Sequence, residues 1–407
     1  MPKNSEQPSA SNELNNSTAV GSAGEVFAVA LRLGLTSFGG PIAHLGYFRD
    51  EYVTRRRWLD DHAYSELIGL CQFLPGPASS QVGFAIGWMR AGALGALAAW
   101  VAFTLPSALL LFAFALASRS FRGPVADSVV HGLKVVAVAV VAQALIGMAR
   151  TLTPDLRRIL MALMAAAAML LLANPASQVV VIAVGALAGV LLCQPGPIVA
   201  QHRSGHAPSQ RLGIAALIVF TLLLVALPVL AQLSSWIAFG NAFYRTGALV
   251  FGGGHVVLPL LREGLVPAWM NDTTFLSGYG AAQAVPGPLF TIGSYLGAVG
   301  MPNARAPGAA LGVTMIFLPG LLLVTGALAF RQRIMGSAKA RKAIAGVNAV
   351  VVGLLAAAFY DPLWTAGIAS ILDVILAAAA LLLLVRFKIP PVIVVATSVA
   401  VNAALAM

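Results

Sequence analysis

The sequence predicts an all-α polytopic membrane protein of two homologous halves, inverted relative to each other and carrying broken or re-entrant helices at the centre. Three observations lead there: an apolar composition, a set of motifs that occurs twice, and loop charges that alternate between the copies. Of 407 residues, 59% are hydrophobic and 10% charged, where an ordinary soluble domain carries about 25% charged residues. Runs such as Gly92–Ala117, Leu212–Leu233 and Ile371–Val385 exceed what a soluble interior can hold. A net charge of +11 would suggest nucleic acid in a soluble chain. Here the basic residues sit in short loops between apolar runs, as the positive-inside bias produces, and none interleaves with aromatic residues as a stacking platform does. The expected environment is the bilayer, with no nucleic-acid partner.

The duplication defines the halves. Arg32, Gly34, Phe38-Gly39-Gly40, Leu45 and Arg49 recur at one fixed spacing as Arg245, Gly247, Phe251-Gly252-Gly253, Leu258 and Arg262. At a spacing two residues shorter, Trp58, Asp61 and Gln72-x-x-Pro75-Gly76-Pro77 recur as Trp269, Asp272 and Gln283-x-x-Pro286-Gly287-Pro288. Leu105-Pro106 then matches Leu318-Pro319 at the first spacing. An ordered series of this kind marks an internal repeat. The expected division is a polar tail to residue 24, a first half with linking helices over 25–233, and a second half over 234–407.

Loop charge sets the orientation. Arg49, Arg55, Arg56 and Arg57 crowd a loop whose counterpart keeps only Arg262, whereas Arg119 and Arg122 face Arg331, Arg333, Lys339, Arg341 and Lys342. The two strongly basic loops are therefore expected in the cytoplasm, which inverts the halves and leaves the N-terminus inside. The Ser- and Asn-rich stretch Met1–Gly24 has no apolar core, so it is expected to be a disordered tail and not a cleavable signal.

Phe27–Phe38 and Asp61–Phe73 are each about a dozen residues, roughly 18–20 Å of helix, too short for a hydrocarbon core of about 30 Å. Each runs into a break, Gly39-Gly40-Pro41 or Pro75-Gly76-Pro77, and then another short apolar piece, the pattern of half-helices meeting inside the membrane. Asp61 and Asp272 are the expected N-caps of the matched half-helices. Full crossings are expected near Gly92–Ala117, Asp127–Ala149, Arg158–Ala173, Gln178–Cys193 and Leu212–Leu233, and at the far end near Ala343–Tyr360, Trp364–Val385 and Ile389–Met407.

Broken helices expose backbone N–H and C=O groups, which lipid does not tolerate unless protein or a watery cavity receives them. Two Gly-Gly and two Pro-Gly-Pro breaks at matched places thus mark a central binding site. A helix starting at Pro77 or Pro288 presents N–H groups and a positive dipole end, which suits an anion. Ser79, Ser80 and Thr291 add hydroxyls there, and Gln72 and Gln283 add amides one turn earlier. The plainer alternative is a kink with an interhelical tie.

Arg32 and Arg245 each lie six residues before a Phe-Gly-Gly within an apolar stretch. An arginine at helix centre costs about 2.5–3.5 kcal/mol on insertion scales, and its guanidinium grips an oxyanion in a fork. Snorkelling to the interface is the alternative. His44 and His255 do not match each other and are expected to be hydrogen-bonded packing residues rather than proton carriers. Glu66, which meets Ser277, either couples protons or faces the cytoplasmic interface. Asp361 precedes Pro362 at a segment end and Asp373 is expected in an apolar helix, and neither is assigned a role. Cys71 and Cys193 form no CxxC and are expected to be buried thiols. No metal, cofactor or catalytic residue is expected: HExxH, GxSxG and the Walker A loop are all absent.

The Phe-Gly-Gly and Gln-x-x-Pro-Gly-Pro units, in this order and twice over, resemble those of the chromate ion transporter family in its long, two-domain form. The resemblance runs from about Glu25 to the C-terminus and implies a bacterial inner-membrane carrier that expels chromate and confers resistance. One departure is that Gly39-Gly40 runs into Pro41 where the second half has Gly254. Chromate is the expected partner and sulfate, also a tetrahedral dianion, the alternative; a homodimer stays open. An inside-negative potential favours anion exit by about 2.3 kcal/mol per charge per 100 mV, so the potential or a proton gradient would drive alternating access without ATP.

Overall fold

The computed structural model describes residues 21–37, 40–72, 74–117, 124–171, 175–194, 206–250, 257–387, 389 and 391–405. Most of the polar tail, Phe38-Gly39, Phe251-Gly252-Gly253, Gly254 and His255 lie outside the described residues. Within them every regular element is helical. Four helices, Ala78–Ala117, Gln210–Leu230, Arg305–Ala329 and Ala338–Asp361, have the length and apolarity to cross a membrane.

The first half opens with α1 (Ala23–Thr36), α2 (Gly40–Phe48), a π-helical turn (Arg49–Arg55) and α3 (Asp61–Gln72). Helix α4 (Ala78–Ala117) follows the first Pro-Gly-Pro. It is two arms, because Ala91 and Gly92 leave helical geometry and Gly92 takes φ 64°. The arms fold back on each other so closely that a Cβ on Gly87 would strike the Gly95 carbonyl. Beyond come α5 (Pro124–Leu152), α6 (Leu156–Leu171), α7 (Pro175–Leu192) and α8 (Gln210–Leu230).

The second half repeats this plan. It runs α9 (Ser235–Leu249), α10 (Val257–Leu265), α11 (Asp272–Ala284), a 3-10 turn (Leu289–Thr291), α12 (Ile292–Gly300) and α13 (Arg305–Ala329). The arms α12 and α13 are again joined through glycine, with Gly293 against Gly312 and Gly297 against Gly308. Small residues let backbones meet where lipid gives no hydrophobic drive between helices. The chain ends with α14 (Arg331–Gly336), α15 (Ala338–Ala358), a second π-helical turn (Phe359–Trp364), α16 (Ile371–Val385) and α17 (Pro391–Leu405).

The halves interlock. Helix α15 packs on α6 and α7 of the first half, while its counterpart α5 packs on α16 and α17 of the second. Gly346 sits against Gly185 and Gly189 in one bundle, and Gly132 against Val399 and Ser398 in the other. His131 Nε2 lies 2.6 Å from Asp373 Oδ1, tying α5 to α16.

Two expectations are corrected. Asp61 and Asp272 are not the caps: the side chain of Asp60 accepts from the Ala63 N–H, and that of Asn271 from the Thr274 N–H. The expected caps instead hold Arg49 at 2.7 Å and Arg262 at 2.6 Å, the same ion pair in each half. A helix does not run from Trp364 to Val385 either. Ser370 and Asp373 form a capping box, with Ser370 Oγ accepting from the Asp373 N–H, so α16 starts at Ile371. That also accounts for Asp373 as an N-terminal helix residue.

Candidate functional site

The site grows from the two Pro-Gly-Pro breaks. A glycine held between two prolines of fixed φ can turn the chain only through unusual geometry, and Gly76 takes φ 114° and Gly287 φ 92°. Each turn aims its glycine N–H at the other half. Gly76 N–H donates to the Val250 carbonyl at 2.6 Å, and Gly287 N–H donates to the Ser37 carbonyl at 2.8 Å. Val250 and Ser37 are the matched C-caps of α9 and α1. Each break thus caps the first helix of the opposite half.

Position 76 faces Gly320 and position 287 faces Ser107, the residues just after the matched Leu-Pro pairs. A Cβ on Gly34 or Gly247 would collide with the backbone carbonyls of Phe103 or Ile316. The carbonyls near each internal proline are crowded by α1 and α9 in the same way. Motifs spread along the whole sequence therefore meet in one place.

Polar side chains gather on the first-half side. His44 Nδ1 is 3.3 Å from Ser79 Oγ, and its ring stands edge-on to Phe103, with centroids 5.4 Å apart. Gln81 Nε2 donates to the Pro75 carbonyl at 2.9 Å and across the halves to the Gly320 carbonyl at 3.1 Å. Two carbonyl partners fix which end of that amide is nitrogen. Ser37, His44, Ser79, Ser80 and Gln81 are all buried. Thr291 is also buried, but its hydroxyl donates to the Pro288 carbonyl at 2.7 Å.

The structure separates the two arginines. Arg32 is exposed on α1. Arg245 is half-buried and lines a cavity of about 130 Å³ with Asn241, Thr246, Leu249 and Glu263. Glu263 stands close enough to Arg245 for a favourable charge interaction. Gln72 and Gln283 diverge in the same sense, Gln72 exposed and Gln283 half-buried beside the Tyr279 hydroxyl. Gly40 is the first residue of α2, while Gly39, Gly252 and Gly253 lie outside the described residues.

At the end of the first half that carries the π-helical turn, Glu25 meets Arg90 at 3.2 Å and Arg56 at 3.6 Å, and both guanidiniums lie over the Trp58 ring. Glu51 binds Arg56 at 2.7 Å and Arg55 at 3.1 Å. Burial alone would raise the Glu51 carboxyl; the two arginines outweigh it and hold it below its ordinary value. In the second half Ala238 and Gly264 stand at the places of Glu25 and Glu51, and Trp269 packs against Phe239 at 4.6 Å with Gly300 under the Phe239 ring. Both cysteines are buried and free. Among the described residues no cluster of three His, Cys, Asp or Glu could hold a metal.

Sequence reasoning passed over Gln81 and Glu263, and took His44 for a packing residue. A signal for Glu263 existed: at the first repeat spacing it matches Asp50, so each half carries a carboxylate next to its matched arginine, Arg49 or Arg262.

The chromate transporter family model matches residues 24–190 and again 237–403. Among curated relatives, a chromate transport protein of Cupriavidus metallidurans is 27% identical over 361 residues, covering 88% of this chain and 86% of the relative. A probable chromate transport protein of Synechococcus elongatus is 26% identical over 332 residues, 81% of each chain. One from Pseudomonas aeruginosa is 27% identical over 350 residues, covering 83% of this chain and 80% of its own. No solved structure matches. With a repeated match over most of its length, this multi-pass helical chain belongs to the chromate transporter family.

Proposed function

We propose that the chain is a secondary carrier, not an enzyme, that moves chromate out of the cytoplasm across the bacterial inner membrane by alternating access. The observation that carries this reading is the reciprocal capping of Gly76 on Val250 and Gly287 on Ser37. It brings two broken-helix sites, each behind an arginine-bearing helix, to one buried centre. Such an exchange is what a two-fold relation between inverted halves produces, and it agrees with the alternation of basic loops. The relatives named as chromate transport proteins support the choice of anion.

Electrostatics suit a dianion. Arg32 and Arg245 offer charge on either side of the centre, and the breaks offer helix N-termini and hydroxyls. An inside-negative potential drives a divalent anion outward by about 4.6 kcal/mol per 100 mV, twice the single-charge value. The Arg49–Arg57 segment then lies in the cytoplasm.

The test is uptake of labelled chromate by everted membrane vesicles, comparing wild type with Arg32→Gln and Arg245→Gln at equal expression and with excess sulfate as competitor. Wild-type uptake, with at least a tenfold fall in both variants, is expected. Unchanged uptake in both variants would remove the arginines from the path. Equal competition by sulfate would widen the substrate to tetrahedral oxyanions in general.

A further inference from the structure

Three buried threonines, Thr153, Thr246 and Thr325, satisfy their hydroxyls on the carbonyl four residues earlier. Thr104 is 3% exposed, yet its Oγ1 has no partner. Ser80 Oγ, Ser37 Oγ, His44 Nε2 and Trp100 Nε1 share this condition, all buried and all unsatisfied. These five groups can each donate a hydrogen bond. A buried donor left unmade is costly, and so many in one region call for a partner, an ordered water or an anion.

All five belong to the first repeat, around α1, α2 and the two arms of α4; in the second repeat, among the described residues, Gln283 Nε2 is the donor in the same condition. At the matched places of the second repeat stand Val250 for Ser37, Val257 for His44, Val313 for Trp100 and Phe317 for Thr104. Thr291, opposite Ser80, spends its hydroxyl on Pro288. Phe317 is fully buried against Phe290 and Trp100, with centroids 5.7 and 5.9 Å apart. At Phe317 the second repeat places aromatic carbon where the first places the Thr104 hydroxyl.

We propose that Ser37, His44, Ser80, Trp100 and Thr104 form a single desolvated oxyanion subsite in the first half, built from neutral donors and displaced from the pseudo-two-fold centre. This rests on the oxyanion-carrier reading. The arginines then attract and release the anion, and the neutral donors hold it. His44 fits the role as the tautomer in which Nδ1 accepts from the Ser79 hydroxyl and Nε2–H donates, the ring lying also within reach of the Ser37 backbone. Uncharged donors complement a tetrahedral oxyanion without trapping it, so it can leave on the far side.

Binding separates this claim from transport. Purified protein in lipid nanodiscs is titrated calorimetrically with chromate and separately with sulfate. Thr104→Val and Ser80→Ala should each weaken binding of the preferred anion by tenfold or more, with Thr104→Ser restoring it. His44→Leu should lose binding, and His44→Gln, which keeps a donor near the Nε2 position, should retain most of it. Thr325→Val, whose hydroxyl is already satisfied within its helix, should bind like wild type. Since neither hydroxyl has a protein partner, Thr104→Val and Ser80→Ala should leave the anion-free melting temperature unchanged or raised. A purely structural hydroxyl would lower it. Wild-type affinity in Thr104→Val and Ser80→Ala overturns the subsite and leaves the carrier reading standing. A wild-type protein that binds neither anion overturns both.

Discussion

The two halves carry the same motifs in different surroundings. In the second half, α10 packs on α9, and α11 packs on α5 and α17. Arg245 and Gln283 are accordingly drawn into the protein. In the first half, α2 lies on the π-helical turn and α4, α3 lies on the same two elements, and Arg32 and Gln72 are exposed. Repeated residues need not share an environment at one moment. The alternating access proposed above would treat the half-buried Arg245 and the exposed Arg32 as two states of one site.

The largest break in that comparison comes from the interlocking bundles. A side chain on Gly346 would meet the Gly185 carbonyl and the backbone of Gly189, whereas one on Gly132 would meet Val399 Cα at 3.0 Å and Ser398 O at 3.1 Å. Gly346→Leu should abolish recovery of monodisperse protein, and Gly132→Leu should reduce it less. Overpacking costs about 1–3 kcal/mol or more, and the tighter contact bears more of it. Size-exclusion profiles of the two variants check the order, and a benign Gly346→Leu would contradict the packing described.

Accessibility sharpens the comparison next. Cysteines placed at Gln72 and Gln283 should react with a water-soluble thiol reagent at rates differing tenfold or more, Gln72→Cys being faster. Saturating anion should narrow the gap if the halves exchange states. Equal rates without anion would show that the observed asymmetry is not the resting one.

The arginines should then differ in what they stabilise. Arg32→Gln should leave the melting temperature within a degree or two, because the side chain is exposed. Arg245→Gln should lower it, since Glu263 loses a nearby opposite charge in a half-buried setting. Thermal unfolding of both variants in the same detergent measures this directly, and identical shifts would dissociate Glu263 from Arg245.

The smallest effect concerns acid. Glu51 is held below its ordinary value by Arg56 and Arg55. Its stabilising contribution is present above the unfolded carboxylate value of about 4.3 and is lost as pH falls through the lower folded value. A discounted contribution of about 1 kcal/mol is expected for such a half-screened cluster. Glu51→Gln should therefore cost stability at pH 7 and close the gap to wild type near pH 3. Gly264 stands at the matching place in the second half, so no parallel acid effect arises there. A pH-independent difference would show that Glu51 acts through packing alone.

Much of this organisation was legible in the sequence because it rests on short-range chemistry. Gly-Pro breaks, apolar runs and loop charge are local signals, and their repetition located the centre without coordinates. What stayed hidden depends on contacts across the halves. No spacing rule places Gln81 on the Gly320 carbonyl or Gly287 on Ser37. The caps shifted by one residue because Asp61 and Asp272 found arginine partners in the preceding segments, leaving Asp60 and Asn271 to cap. The unsatisfied donors were invisible for another reason: an idle hydroxyl and a satisfied one share a letter, and only burial and distance tell Thr104 from Thr325.

The central claim is that an oxyanion crosses between the two sets of breaks, and flux in a defined system tests it most directly. Purified protein reconstituted into liposomes, with an imposed potassium-diffusion potential and no nucleotide, should move labelled chromate toward the positive side. Reversing the potential should reverse the flux, and Arg32→Gln and Arg245→Gln should each reduce it at least tenfold. Absence of flux at either polarity, with or without a proton gradient, would contradict the account.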